Sequence, residues 1–130
     1  RGLDVEFRGY VEHEDLNREL HRADIFISTS LVEGMSNATL EAMAAGLPII
    51  STGVGGVAKM IDGNGVVIKK IADADAIAEA LEFYLRNPDL IPEHGKRSRR
   101  MAEEMSWKSV VERYLQEIYA PAAAASPAAA

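Results

Sequence analysis

The apolar positions change period along the chain, and each change marks a predicted element. Val5-Glu6-Phe7-Arg8-Gly9-Tyr10-Val11 alternates apolar and polar residues, the spacing of a strand. His13-Glu14-Asp15-Leu16 then opens a helix that uses Leu16 and Leu20. Asp24-Ile25-Phe26-Ile27-Ser28 is a nearly continuous apolar run, as expected of a strand covered on both faces. A helix is predicted over Ala38 to Ala45, capped by Ser36 or Asn37 and stopped by Gly46. Leu47-Pro48-Ile49-Ile50-Ser51 reads as another buried strand, with Pro48 tolerable only at its start. Gly53-Val54-Gly55-Gly56 is a tight glycine loop leading to a short helix that ends near Asp62. Gly65-Val66-Val67-Ile68 is the last strand. Strands separated by helical stretches predict right-handed βαβ units and a parallel sheet.

The second half reads as helical. From about Asp73 to Arg86, Ile77, Leu81, Tyr84 and Leu85 share one stripe, which Asn87-Pro88 ends. A second helix begins near Pro92 and carries Met101 and Met105. Ser106 then caps a final helix with Trp107, Val110, Val111, Tyr114, Leu115 and Ile118 on one face. So amphipathic a helix is expected to lie on something, with Trp107 as a core anchor. The five methionines, Met35, Met43, Met60, Met101 and Met105, read as core or groove fillers. From Pro121 the chain is only Ala, Pro and Ser, which predicts a disordered tail over 121–130 beyond a structured region of 1–120.

Composition narrows the classes of function. A length of 130 residues predicts one domain with one modest core. Fourteen Lys+Arg against 20 Asp+Glu give a net charge of −6, which argues against a nucleic-acid partner, since binding a phosphate backbone needs a basic face. With no cysteine, disulfide scaffolds, thiolate zinc sites and thiol nucleophiles are excluded. The longest apolar run, Ala42 to Ile50, is too short for a membrane span and is broken by Gly46 and Pro48. The chain opens Arg1-Gly2-Leu3-Asp4, with neither a starting Met nor a signal-peptide pattern.

The stretch richest in chemistry runs from Ser30 to Gly46, where a strand gives way to a helix. In open parallel sheets ligands bind beyond the carboxyl ends of strands. The backbone N–H groups of Met35 to Thr39, with the helix dipole, would favour an anion such as a diphosphate. Glu33 lies in the loop and Glu41 about one turn inside the helix, so the two carboxylates can address different parts of one ligand. One could accept ribose hydroxyls, as acidic residues do in dinucleotide folds. The other could meet a sugar or a developing positive charge. The bland alternative makes Glu33 a dipole complement, Glu41 a surface group and Ser36 or Asn37 a mere cap.

Glu33-Gly34 followed by Leu40-Glu41-Ala42-Met43-Ala44-Ala45-Gly46-Leu47-Pro48-Ile49-Ile50 resembles the E-x7-E segment of the family 4 retaining glycosyltransferases of GT-B fold. Val5–Val11, Ala23–Ile27, Gly55-Gly56, Gly63–Val67 and Met105-Ser106-Trp107 with Tyr114 and Tyr119 are similar to further family segments, in order. The resemblance covers residues 1 to about 120. It implies a Rossmann-like partial domain: the carboxyl-terminal, donor-binding half without its first two βα units and without the amino-terminal domain. It also implies a nucleotide-sugar donor (a UDP- or GDP-hexose), transfer of the hexose to an acceptor hydroxyl with retention, and neither cofactor nor metal. By the resemblance Glu33 is catalytic and lies against the donor sugar, Glu41 binds the ribose, and Gly34, Met35, Ser36, Asn37, Ala38 and Thr39 approach the sugar and diphosphate. Thr29 stands where the family usually has Pro, and Lys59 where it commonly has Glu.

In the resembled fold two strands separate Val5–Val11 from Asp24–Ser28. Without them, direct pairing gives about four parallel strands, and this is the arrangement expected; exchange between chains in a strand-swapped oligomer, or an unpaired segment, are the alternatives. The isolated chain is expected to be inactive, its partners being the missing domain or another chain. A non-catalytic fragment, pseudo-enzyme or redesigned scaffold is the second reading. A hydrolase acid/base pair and a non-hydrolysing sugar-nucleotide epimerase rank below it. His13, His21 and His94 read as surface or helix-end groups. Lys96-Arg97-Ser98-Arg99-Arg100, flanked by Glu93, Glu103 and Glu104, reads as a solvated helix face, with contact to anionic lipid as the alternative. The expected location is cytoplasmic, with peripheral membrane contact left open.

Overall fold

Ile49 and Ile50, adjacent and both fully buried, set the layout of the molecule. A strand sends successive side chains to opposite faces, so each isoleucine seeds a core on its own side. In the computed structural model, which describes residues 4–120, they belong to β2 (Ile49–Ser51), between β1 (Phe26–Ser28) and β3 (Gly65–Val67). All three strands are parallel, with Ile27 and Val66 opposite Ile50. Ile49 packs with Ala42, Met43, Leu47, Val57, Met60 and Ala102, and Ile50 with Ile68, Ala80 and Tyr84.

Helices cover both faces. They are α1 (His13–Arg22), α2 (Asn37–Ala44), α3 (Ala74–Arg86), α4 (Leu90–Glu104) and α5 (Trp107–Tyr114), with a 3₁₀ turn at Gly55–Met60 and a π-helical turn at Leu115–Tyr119. Ser36, Asp73 and Ser106 cap α2, α3 and α5 by accepting N–H groups of the first turn. α4 starts at Leu90, slightly before the expected Pro92; Pro92 falls in the first turn, where its missing N–H costs nothing. α4 lies against α2 because Gly95 lets the helix approach closely: a Cβ there would overlap the Gly46 carbonyl oxygen. Beside that contact, buried Asn64 donates to Met60 O and Ser98 Oγ (both 3.1 Å) and accepts from the Asp62 N–H (2.8 Å).

The Rossmann-like parallel α/β class is as expected, but among the described residues the sheet has three strands, not about four. Val5–Val11 does not join it: residues 4–10 form no strand, and Phe7 is 94% exposed. A strand beside β1 needs apolar residues on both faces. Here Glu6 and Arg8 alternate with the apolar residues, so one face would bury charge. Arg8 instead pairs with Glu6 (3.1 Å) and with Glu19 of α1 (2.9 Å).

The final helix is the second correction. Its apolar face is largely uncovered among the described residues, with Val110 half-buried but Val111, Tyr114, Leu115 and Ile118 exposed, and Trp107 is 85% exposed rather than a core anchor. The two cores are already closed by α2, α3, α4 and the 3₁₀ turn. α5 is tied back only at its start, where Ser109 Oγ donates to Glu103 O (3.1 Å). Met43 and Met60 fill the core as expected, whereas Met35 is exposed. The basic run is largely a solvated face: Arg97 pairs with Asp62 and Arg99 with Glu103, while Ser98 turns inward. The expected tail at 121–130 lies outside the described residues.

Candidate functional site

β1 ends at Ser28, and the chain crosses the carboxyl edge of the sheet before α2 begins at Asn37. The crossing loop is fastened to the end of β2. Thr52 donates its N–H to Ser28 O (3.2 Å) and its hydroxyl to Ser30 O (2.7 Å), and the Gly56 N–H donates to Gly34 O (2.9 Å). Glu33 is half-buried within this loop, and Gly34 and Met35 are exposed beside it.

Ser36 is buried, and its hydroxyl accepts the Thr39 N–H at 3.2 Å. Thr39 is itself fully buried, and its Oγ1 has no hydrogen-bond partner, so Thr39 faces the core side of α2 rather than the loop's open side. Asn37 and Ala38 are exposed, and their N–H groups, in the first helical turn, have no intrahelical acceptor. The positive end of the α2 dipole therefore opens to solvent next to Glu33.

Glu41 stands one turn further on, its side chain 38% exposed, with Oε1 4.0 Å from His13 Nδ1. The two residues share a cleft of about 530 Å³ between α1 and α2. Leu16, Leu20, Ala44 and Ala45 give it an apolar floor, and Asn17, His21 and Arg99 supply polar groups. That combination suits a flat, partly polar ring system. Sequence reasoning placed His13 on the surface and missed its place beside Glu41. No local periodicity links them; only the crossover from α1 through β1 to α2 does. Among the described residues, no group of three or more His, Asp or Glu side chains gathers as a metal's ligand set.

Asp73 and Tyr84 titrate away from their ordinary values, and both belong to the scaffold. The N–H of Ala76 beside Asp73, helped by Lys70, holds its carboxyl below the usual range. Burial pushes the Tyr84 phenol up to about 12.

Parallel strands with helices on both faces, and a loop that crosses the carboxyl ends of the strands into α2, define a Rossmann-like α/β unit. Residues 1–87 match the family described as "Glycosyl transferases group 1", and the chain belongs to that family. Relatives include the D-inositol 3-phosphate glycosyltransferase of Streptomyces coelicolor, 32% identical over 81% of this chain and 23% of that protein. The spore coat protein SA of Bacillus subtilis is 34% identical over 85% of this chain and 30% of its own length. Sucrose-phosphate synthase from Thermosynechococcus elongatus shares the fold with a TM-score of 0.78 and 28% identity, over 94% of this chain and 31% of that one. The chain thus spans between 23% and 31% of these proteins. Among the described residues, no helix is long and apolar enough to cross a membrane.

Proposed function

We propose that this chain is the donor-binding part of a retaining glycosyltransferase that takes a UDP- or GDP-hexose and passes the hexose to an acceptor hydroxyl. The observation that carries the reading is the order of groups along α2 towards its start: cleft, Glu41, open helix terminus, and Glu33 in the loop before it. The nucleoside enters the cleft, and Glu41 accepts its ribose hydroxyls. The diphosphate lies on the amides of Gly34, Met35, Asn37 and Ala38, which stabilise the charge left on it as the hexose departs. Glu33 faces the hexose and the positive charge that develops at its anomeric carbon. Ser36 and Thr39 serve from behind, fixing the first turn.

Transfer also needs an acceptor held in line, which calls for the opposite wall of the cleft. An amino-terminal domain, a partner chain, or strand exchange between copies would supply it and cover the free edge of β1. The setting proposed is cytoplasmic; Lys96 and Arg100, exposed on α4, offer a point of contact with anionic lipid.

Titration calorimetry of the chain with UDP, UDP-glucose, GDP and GDP-mannose tests the reading. One nucleotide series should bind at about millimolar Kd or tighter. Glu33→Ala should weaken the nucleotide-sugar and spare the bare nucleotide. No binding in either series would leave the non-catalytic scaffold as the better account.

A further inference from the structure

The pair Gly55-Gly56 does more than turn the chain. Gly55 has φ +59°, and a Cβ on it would overlap the Glu33 carbonyl oxygen. A Cβ on Gly56 would come within 2.9 Å of Gly34 O and 3.5 Å of the Met35 Cα. The Gly56 N–H meanwhile donates to that same Gly34 oxygen at 2.9 Å. Two stretches of backbone therefore touch with no side chain between them, at the level of Glu33.

The glycine pair is not free to follow the loop. It opens the 3₁₀ turn whose Val57 and Met60 are buried in the core that also holds Ala42 and Met43 of α2. One packed body thus grips the Glu33 loop from beneath and carries the helix that follows it. At the near end, Thr52 holds Ser28 O and Ser30 O.

We infer that Gly55, Gly56 and Thr52 are positioning residues that fix where the Glu33 carboxylate and the Gly34 amide meet the distal, sugar-bearing end of a nucleotide-sugar. This inference rests on the donor-binding reading above for its ligand, but not for its geometry. A methyl group at Gly56 must lift the loop by the overlap it creates, while Glu41 and its cleft, carried by α1 and α2, stay in place. The set acts on the sugar end and not on the nucleoside end.

The experiment compares the chain with Gly56→Ala and with Thr52→Val, which removes one hydrogen bond at constant shape and keeps the test open if the glycine variant fails to fold. Hydrogen exchange at the amides of residues 52 and 56, which donate to Ser28 O and Gly34 O, should quicken at least tenfold in either variant, with β2 unchanged. Unchanged exchange there overturns the grip, whatever binds. In calorimetry, affinity for UDP-glucose or GDP-mannose should fall about tenfold or more, while affinity for UMP or GMP stays within twofold. An equal loss for both would mean that the residues only hold up the fold, and would overturn the assignment. Faster exchange in a protein whose wild type binds none of the four compounds would instead remove the donor-binding reading, leaving a grip without a ligand, and the positioning role would fall with it.

Discussion

The Asn64 carboxamide donates to Ser98 Oγ at 3.1 Å, joining the approach to β3 with the middle of α4 inside a fully buried site. Asn64 satisfies three partners there, with Met60 O and the Asp62 N–H as the others. Removing it strands buried polar groups, each at a cost of about 1–3 kcal/mol. Asn64→Ala should lower the free energy of unfolding by about 2–4 kcal/mol, and Ser98→Ala by about 1–2 kcal/mol, in urea titrations. Since α4 braces α2, looser α4 packing should also be felt at the Glu33–Glu41 segment.

The close approach of Gly95 to Gly46 predicts a second effect. Gly95→Ala gains helix propensity but forces α4 off α2, and overpacking of this kind costs about 1–3 kcal/mol. Thermal unfolding should show a lower Tm. A raised Tm would mean that the two helices are not seated as described.

Tyr84 gives a pH dependence of definite sign. The buried phenol donates to or accepts from His94 Nδ1 at 2.8 Å, and its ionisation moves from 10.0 to about 12. Folding favours the neutral form, so this contribution is complete below pH 10 and disappears as pH rises from there towards 12. Phenolate absorbance should show a step near pH 12 that is missing in Tyr84→Phe. A step near pH 10 that vanishes in that variant would contradict the burial.

Trp107 is the sole tryptophan, so its emission reports on α5 alone. At 85% exposure it should emit as in water and be quenched by acrylamide nearly as fully as a free indole. Blue-shifted, protected emission at micromolar concentration, lost on dilution, would show that copies of the chain cover this face.

Much of the architecture was legible because it is local. The switch from alternating to helical spacing located α2, β2 and α3, and Ser36 and Ser106 announced the caps of α2 and α5. The Glu33 loop was equally legible from a strand end running into a helix start. What spacing could not supply was long-range: the same alternation that makes Val5–Val11 look like a strand puts Glu6 and Arg8 on a face that a helix-covered strand beside β1 would have to bury. Likewise the α5 stripe states that a face is apolar and says nothing of what it meets. Neither the His13–Glu41 pairing nor the backing of Glu33 by Gly55-Gly56 has any sequence period, since both arise from crossovers of the chain.

The central claim is that Glu41 and its cleft hold the nucleotide of a nucleotide-sugar. Calorimetric titration of the chain and of Glu41→Ala with UDP and GDP tests it most directly. The account predicts binding of one of the two, weakened at least tenfold in the variant while urea unfolding of the protein stays unchanged. Nucleotide binding of equal strength in both proteins would contradict it.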